Sequence, residues 1–224
     1  PQSTATPSAI QWWADPPDIP VPELYFGLPS TQEYGEVSRT RRASTLQPEA
    51  VIGDMDSLSA EAREKLDPAR IHHIAEQDST DFEKCLRSVQ TPAILAYGFT
   101  GGRLDHQLAA CTALVRHPEQ CCILMGEEDL CFLAPLDFAI DLPAGTRFSL
   151  YPMGKVSGES EGLMYPIDGL TMSPATRGGT SNEVTGPVKL RLEARLMLVL
   201  LPVEHVETVL DALVGQGAQA APSA

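Results

Sequence analysis

Short apolar runs of strand length alternate with helical patterns between residues 48 and 126. The runs are residues 49–53 (EAVIG), 69–74 (ARIHHI), 93–98 (AILAYG) and 121–126 (CCILMG). Helical patterns follow the second and third runs, at residues 80–89 (TDFEKCLRSV) and 104–117 (LDHQLAACTALVRH). This alternation predicts an α/β domain in which crossover helices join parallel strands. A ligand site is then expected beyond the carboxyl ends of the strands.

The sequence also predicts where the first of these helices begins. Thr80 has the residue type of an N-cap, and Glu83 follows three residues later, so the two residues match a capping box. In a capping box each side chain accepts a hydrogen bond from the backbone N–H of the other residue. We therefore expect the helix to start immediately after Thr80.

Beyond Gly126 the helical pattern stops, and strand patterns punctuated by Gly and Pro follow at residues 138–154, 162–170 and 188–201. Apolar residues occupy every even position from Val188 to Leu200, which predicts one half-buried antiparallel strand. Four regions are therefore expected: an atypical N-terminal segment (1–46), an α/β domain (47–129), an all-β domain (130–215) and a disordered tail (216–224).

Composition limits the classes of ligand and location. The formal net charge of −14 argues against binding nucleic acid or an anionic membrane, so a phosphate compound would need local donors or metal ions. We find neither an apolar stretch of about 18 residues nor a signal-peptide pattern, so we expect a cytoplasmic protein. The five cysteines show no C-x-x-C spacing, and we expect reduced core thiols rather than a zinc site.

Acidic residues follow three successive strands of the expected α/β domain. Asp54 and Asp56 follow the first strand, Asp78 and Asp81 the second, and Asp105 the third. Because the carboxyl ends of parallel strands lie at one edge of a sheet, the three loops should converge. Gathered carboxylates repel one another unless a cation lies among them, and Mg²⁺ prefers oxygen ligands of this kind together with substrate phosphates.

Two further features are suited to binding phosphate. Arg103 ends the glycine loop at residues 98–103 (GFTGGR), and its guanidinium can bind phosphate oxygens in a bidentate manner. The helix that begins after Thr80 adds exposed backbone N–H donors. Together these features predict a metal–nucleotide site. Each feature taken singly has a simpler explanation. Residues 54–56 could form a solvated turn, Asp78 and Asp81 could stabilise the start of a helix through its macrodipole, and His106 could lie on a helix surface.

Several blocks of the sequence resemble, in the same order, those of the thiamine pyrophosphokinase family. They are VIGDMDS (51–57), EQDSTDFEKCL (76–86), GFTGGRLDHQLA (98–109), FSLYPM (148–153), EGLMYPI (161–167) and GGTSNEVTG (178–186). The resemblance covers about residues 48–201. It implies an N-terminal α/β domain with a parallel sheet, a C-terminal all-β sandwich domain that binds thiamine, and a homodimer. The implied reaction makes thiamine diphosphate and AMP from thiamine and ATP.

The resemblance also implies a role for individual residues. The implied catalytic residues are Asp54, Asp56, Asp81 and Arg103, of which the three aspartates bind Mg²⁺. Those implied around ATP are Thr80, Arg103, Asp105 and His106. Those implied around thiamine are Gln77, Asp78, Tyr165, Ser181 and Asn182. Packing of Tyr165 on a strand face, and a turn at Ser181 and Asn182, are the alternatives for the last three.

The N-terminal segment departs from the family pattern. In the family a first strand, a glycine-rich loop and an A-D-G-G-A block precede G-D-x-D-S, and residues 1–46 contain none of these in recognisable form. Either the first βα units have diverged, or the segment is foreign to the fold.

Two other functions are compatible with parts of the sequence. The DMDS block also resembles the D-x-D motif of haloacid-dehalogenase-type phosphatases, in which Asp54 would be a nucleophile. That family requires a downstream lysine and a further acidic pair, which we do not find in a suitable arrangement. The other function is a catalytically silent protein that binds thiamine or a nucleotide, which the unusual N-terminal segment favours.

Overall fold

The computed structural model describes residues 25–26, 50–55, 63–64, 66–101 and 103–219. Asp56 and most of the N-terminal segment therefore lie outside the described residues. The described part is rich in β-strand, and three of its α-helices have eight or more described residues. The chain divides into two compact units with the boundary between Ala113 and Leu114. The sequence predicts functional domains with a boundary near residue 129, and these domain limits remain a prediction.

The strands of the first unit pair in parallel. These strands are β1 (Tyr25–Phe26), β2 (Val51–Gly53), β3 (Ile71–His73) and β4 (Ile94–Tyr97). In the β2–β3 pair Val51 lies opposite Ile71, and in the β1–β4 pair Tyr25 lies opposite Leu95. The parallel pairing of β2 with β3 confirms the sequence prediction. Strand β1 shows that the N-terminal segment, which carries no periodic pattern, supplies part of a sheet.

The two predicted helices are α1 (Asp81–Ser88) and α2 (Leu104–Arg116). The capping box at the start of α1 is confirmed: the backbone N–H of Glu83 donates to Thr80 Oγ1 at 3.2 Å, and the backbone N–H of Thr80 donates to Glu83 Oε2 at 3.1 Å. Phe82 anchors α1 in the core, where its ring lies 4.1 Å from that of Phe99. The start of α1 is thus fixed from both sides.

The second unit is built from antiparallel strands. They are β5 (Cys122–Met125), β6 (Asp129–Leu133), β7 (Asp137–Ile140), β8 (Arg147–Pro152), β9 (Val156–Leu163), β10 (Thr171–Met172), β11 (Thr180–Leu192) and β12 (Met197–Pro202). Their order is β5-β6-β12-β8-β11-β9-β10, and β7 also pairs with β11. A third helix, α3 (Val206–Gln219), packs against β7. This arrangement agrees with the predicted all-β character of the C-terminal part.

Strand β11 changes partners along its length. Residues 180–183 pair with β8, whereas residues 188–191 pair with β7 and residues 189–192 with β9. The register shifts between Val184 and Lys189, a stretch that contains Gly186 and Pro187. At this irregularity β9 approaches so closely that a Cβ on Gly162 would lie 2.2 Å from the carbonyl oxygen of Pro187. Gly162 also has a φ of +74°, so both space and backbone geometry require glycine.

Two expectations for the C-terminal part are wrong. The single strand expected from Val188 to Leu200 is two strands, since β11 ends at Leu192 and β12 begins at Met197. The backbone N–H of Leu196 donates to the carbonyl of Ala194 at 2.9 Å, which forms a tight turn without Gly or Pro. Helix α3 is the second correction, because no helix was expected after Gly126 and residues 216–219 were assigned to a disordered tail. None of the helices that the structure describes is both long and apolar enough to span a bilayer.

We predict that Gly162→Ala destabilises the protein more than Gly169→Ala does. The two glycines have nearly the same φ, +74° and +72°, but a Cβ on Gly169 would meet nothing within 4 Å. Gly169→Ala should cost about 1–2 kcal/mol for left-handed alanine, and Gly162→Ala roughly 2 kcal/mol more for the backbone clash. Urea unfolding measures both. Equal losses would show that β9 and β11 do not need this close approach.

Candidate active site

Two carboxylates in the first unit share a buried cation. Asp54 follows β2 directly, and Asp81 is the first residue of α1. Lys84 Nζ lies 3.0 Å from Asp81 Oδ1 and 3.5 Å from Asp54 Oδ2, and the Lys84 side chain is only 1% exposed. The backbone N–H of Asp54 also donates to Asp81 Oδ1 at 3.2 Å. The structure therefore brings Asp54 and Asp81 together, as the sequence predicts, and joins the end of β2 to the start of α1.

The backbone around Asp54 is shaped to allow this contact. A Cβ on Gly53 would lie 2.9 Å from Asp81 Cγ, so a side chain there would push the carboxylate away from Asp54. Met55, on the other side of Asp54, has a φ of 64° in the left-handed region. A non-glycine residue rarely adopts this conformation, and such strain is concentrated at functional sites. Both residues belong to the G-D-x-D motif.

The charge of Lys84 is maintained by its two partners. Burial by itself works to lower the pKa of Lys84, but the hydrogen bond and charge of Asp81, aided by Asp54, outweigh it and raise the pKa above its ordinary value. A raised lysine pKa means that the ion pair contributes its full stability below the ordinary lysine value. That stability is lost only as the pH rises through the higher, folded-state pKa. Lys84 is thus a permanent cation at neutral pH.

The donor set of this cluster fits a magnesium ion. Mg²⁺ typically binds one or two protein carboxylates and completes its shell with substrate phosphates and water. Asp54 and Asp81 supply two carboxylates whose side chains are 15% and 33% exposed, so they are accessible from solvent. Among the described residues no three His, Cys, Asp or Glu side chains gather as a complete metal site. Asp56, the third predicted ligand, lies outside the described residues.

The loop between β3 and α1 is held by Glu76. Its Oε2 accepts the backbone N–H groups of Asp78 at 2.8 Å and Ser79 at 3.1 Å, and its Oε1 lies 2.8 Å from Arg87 Nη2. The hydroxyl of Ser79, and then Arg87 and the two backbone donors, lower the pKa of Glu76 to about 2 against the opposing effect of desolvation. Glu76 therefore stays ionised and fixes the loop that carries the predicted residues Gln77 and Asp78.

Gln77 reaches the carboxylate cluster, whereas Asp78 faces solvent. Gln77 Nε2 donates to Asp54 Oδ2 at 3.3 Å. Asp78 is exposed, and its position is set by the hydrogen bond from its backbone to Glu76. The Thr80 side chain is occupied by the capping box.

Arg103 and Asp105 form a second group in the first unit. Arg103 Nε donates to Asp105 Oδ1 at 3.1 Å, and Arg103 Nη2 donates to the other carboxylate oxygen. This two-point contact lowers the pKa of Asp105, assisted by the backbone N–H of His106. Both side chains are exposed, so a phosphate group can compete with Asp105 for the same guanidinium face.

The predicted thiamine residues of the second unit have distinct positions. Asn182 is 4% exposed; its Oδ1 accepts the backbone N–H of Tyr165 at 3.0 Å, and its Nδ2 donates to the Tyr165 carbonyl at 2.6 Å. Tyr165 is 59% exposed, so its ring is not packed on a strand face. Ser181 is exposed on the opposite side of β11, because neighbouring strand residues alternate in direction. Both Ser181 and Asn182 lie in a strand, so the turn alternative is wrong.

The roles of Lys84 and Glu76 are evident only in the structure. Lys84 is the lysine of the D-x-T-D-x-x-K motif, three residues after Asp81 on the same side of α1. That spacing predicts contact with Asp81, but a lysine in a short helix is usually exposed, and only the fold shows its burial. Glu76 precedes Gln77 in a loop without a regular pattern. No signal in the sequence distinguishes it from other surface acids.

The matching family model is described as "Thiamin pyrophosphokinase, catalytic domain" and covers residues 28–125. The chain is 28% identical over 183 residues to thiamine pyrophosphokinase 3 of Oryza sativa subsp. japonica, which covers 73% of this chain and 65% of the relative. It is 29% identical to thiamine pyrophosphokinase 1 of the same plant, with 72% and 67% covered. It is 24% identical to thiamin pyrophosphokinase 1 of Caenorhabditis elegans, with 77% of each covered. The chain thus spans about two thirds of the length of the rice relatives.

Solved structures show the same fold at low identity. The structure of thiamin pyrophosphokinase from Geobacillus thermodenitrificans superposes with a TM-score of 0.57 and 22% identity, covering 70% of this chain and 78% of that one. The yeast thiamin pyrophosphokinase structure gives a TM-score of 0.57 and 20% identity, covering 80% and 75%. These likenesses establish the fold of the chain.

We predict that Lys84→Met destabilises the protein by about 2 kcal/mol, because it leaves two neighbouring carboxylates without their shared cation. The double variant Lys84→Met with Asp81→Asn removes part of that repulsion and should recover some of the lost stability. Urea unfolding at neutral pH without divalent cations measures each variant.

The matched control for Lys84→Met is Lys189→Met. Lys189 pairs with Glu161 at 3.1 Å, but both side chains are more than half exposed, so its loss should change stability by less than about 0.5 kcal/mol. Similar losses for the two lysine variants would contradict the structural role of the buried cation.

Proposed function

We propose that the chain is a member of the thiamine pyrophosphokinase family and that it transfers a diphosphate group from ATP to thiamine, giving thiamine diphosphate and AMP. The observation that carries this proposal is the contact of Asp54 with Asp81 around Lys84. It joins the G-D-x-D and D-x-T-D-x-x-K motifs, which lie far apart in sequence, at the end of one strand and the start of one helix.

The proposed reaction is a single in-line displacement at phosphorus. The hydroxyethyl oxygen of thiamine forms a bond to the β-phosphorus of ATP, and the bond from that phosphorus to the oxygen bridging to the α-phosphate breaks. AMP leaves with that oxygen. Because little covalent chemistry is required of the protein, positioning and neutralisation of charge supply most of the catalysis.

We assign the proton of the thiamine hydroxyl to Asp78. Asp81 Oδ1 already accepts from Lys84 and from the backbone of Asp54, which suits it to holding charge in place. Asp78 is exposed in the loop that Glu76 holds, and its chain neighbour Gln77 donates to Asp54. A carboxylate in that position can accept a proton from an incoming hydroxyl.

The ATP site is proposed around the first unit's carboxylates and Arg103. Asp54, Asp56 and Asp81 are the residues that would hold Mg²⁺, which when bound neutralises phosphate charge and orients the triphosphate. Arg103 would exchange its contact with Asp105 for phosphate oxygens, and Asp105 and His106 would keep the loop in position. The start of α1 after Thr80 would add backbone donors.

The residues proposed to bind thiamine are Gln77 and Asp78 in the first unit and, separately, Tyr165, Ser181 and Asn182 in the second unit. Tyr165 offers an exposed aromatic face, and the thiazolium ring of thiamine is a cation of the kind that such faces attract. Asn182 acts by fixing the backbone of Tyr165, since its amide is engaged there. Ser181, on the exposed side of β11, supplies a hydroxyl for hydrogen bonding.

The finer architecture and location belong to the same proposal. We propose an N-terminal α/β domain for the nucleotide and a C-terminal β-sandwich for thiamine. The change of partners along β11, from β8 to β7 and β9, supports a sandwich because one strand then takes part in two sheets. A homodimer and a cytoplasmic location are proposed from the family resemblance and from the sequence, respectively.

The decisive assay incubates the protein with thiamine, ATP and Mg²⁺ and separates the products. We predict thiamine diphosphate and AMP in equal amounts. ADP in place of AMP would exclude diphosphate transfer. Phosphate release with an aspartyl-phosphate on Asp54 would indicate the phosphatase alternative. Thiamine binding by calorimetry without AMP formation would indicate a silent binder.

In the same assay, Asp81→Asn should lower turnover roughly a hundredfold or more. The variant should keep a cooperative melt, because the asparagine oxygen still accepts from Lys84.

We predict that Tyr165→Leu raises the KM for thiamine roughly tenfold and leaves the KM for ATP unchanged, because it removes the aromatic face offered to the thiazolium. Asn182→Ala should raise the thiamine KM in the same way, since Tyr165 loses the amide that fixes its backbone. Tyr165→Phe is the matched control and should behave like the wild type. Steady-state kinetics with each substrate varied provide the test. An unchanged thiamine KM in Tyr165→Leu would remove this residue from the site.

A further inference from the structure

The second unit contains a cavity that the proposed reaction does not use. Its volume is about 760 Å³, within the range of sites for small organic molecules. The loop before β5, the start of β7, the end of β11 and helix α3 all contribute to its wall. Ser181 and Asn182 lie near the other end of the same strand, β11, and do not line this cavity.

Arg195 is the polar group that distinguishes this cavity. It lies in the tight turn between β11 and β12, where the sequence pattern had suggested the exposed face of a continuous strand. Its Nε is buried and has no hydrogen-bond partner in the described part of the chain. Burial lowers the pKa of Arg195, against the smaller opposing effects of Cys121 and Glu119, but an arginine keeps its charge. A buried N–H donor without an acceptor costs free energy, which an acceptor that reaches it would recover.

The neighbouring cations differ from Arg195 because each has a carboxylate partner. Lys189 lies 3.1 Å from Glu161, and the Arg191 guanidinium lies 3.8 Å from Glu159. Two acidic residues, Glu119 and Asp137, also line the cavity. These carboxylates would repel a highly charged anion such as a polyphosphate, so the charge balance favours a ligand with a single negative charge.

The rest of the wall is apolar. Phe138, Leu190 and Leu133 from three strands and Leu213 from α3 line the cavity, and all four are buried. The thiol of Cys121 lies in the same wall, where burial raises its pKa to about 11, so it is uncharged at neutral pH. The apolar part of a ligand would therefore be stabilised in this cavity by the hydrophobic effect.

We propose that this cavity binds a small monocarboxylic acid with an apolar or aromatic body, whose carboxylate pairs with the guanidinium of Arg195. The planar guanidinium presents two parallel N–H donors that match a carboxylate, and the apolar wall receives the body. This division of the cavity predicts specificity: the acid should bind better than its neutral amide, which carries no charge to pair with the guanidinium.

The test uses indole-3-acetate as the probe and indole-3-acetamide as its neutral counterpart, each titrated into the full chain by calorimetry. The acid should bind at least roughly tenfold more tightly than the amide, as expected for a charge-assisted contact. Arg195→Gln should abolish that preference. Arg191→Gln, which changes a cavity cation that already has a partner, should keep it. Equal affinities of acid and amide for the wild type would overturn the proposal.

A second measurement locates the bound probe without relying on a variant. N-ethylmaleimide modification of Cys121, followed by mass spectrometry, should slow when indole-3-acetate is present, whereas modification of the partly exposed Cys111 should not. Unchanged modification of Cys121 at saturating probe would place the probe elsewhere and contradict the proposal.

Discussion

The ion contacts of Lys84 are the interaction on which the first unit depends. A strand end and a helix start that both carry carboxylates would repel one another, yet Asp54 and Asp81 are close enough for the backbone of one to donate to the side chain of the other. A cation with 1% exposure, 3.0 Å and 3.5 Å from the two carboxylates, makes that proximity stable. The absence of a side chain at Gly53 then provides the space. The local geometry of the proposed metal site is therefore set by the protein's own charges.

Much of the first unit could be predicted because its signals are local. The strand positions, the helical pattern and the capping box of Thr80 and Glu83 each depend on residues a few positions apart. All reappear in the structure, although the strands are shorter than the apolar runs. The convergence of Asp54 and Asp81 followed from a general property of parallel sheets, not from any contact visible in the sequence. In the second unit, alternation correctly predicted the buried face of β11 as far as Leu192, where Val188 and Leu190 are almost fully buried.

The failures arose where tertiary contacts override a local pattern. Alternation of apolar and charged residues continues past Leu192, but the chain turns at residues 193–196 without Gly or Pro, because β12 inserts between β6 and β8. Helix α3 was missed because its sequence, VETVLDALVGQGAQ, contains two glycines, and its stability comes from packing Val206 and Val209 in the core. Lys84 was overlooked for the related reason that burial of a lysine depends on partners from another element.

Charge explains how so acidic a chain can be suited to a triphosphate. Two carboxylates and one lysine leave a local net charge of −1, from −2 and +1, so the cluster still attracts a divalent cation without the full repulsion of a bare pair. Arg103 is held by Asp105 in a contact that the phosphate oxygens of a ligand can replace, so its charge is kept available and oriented. The overall negative field of the protein meanwhile favours the approach of a cationic thiazolium. One acidic surface can therefore serve both proposed substrates, since long-range charge attracts thiamine and a few short-range contacts retain the nucleotide.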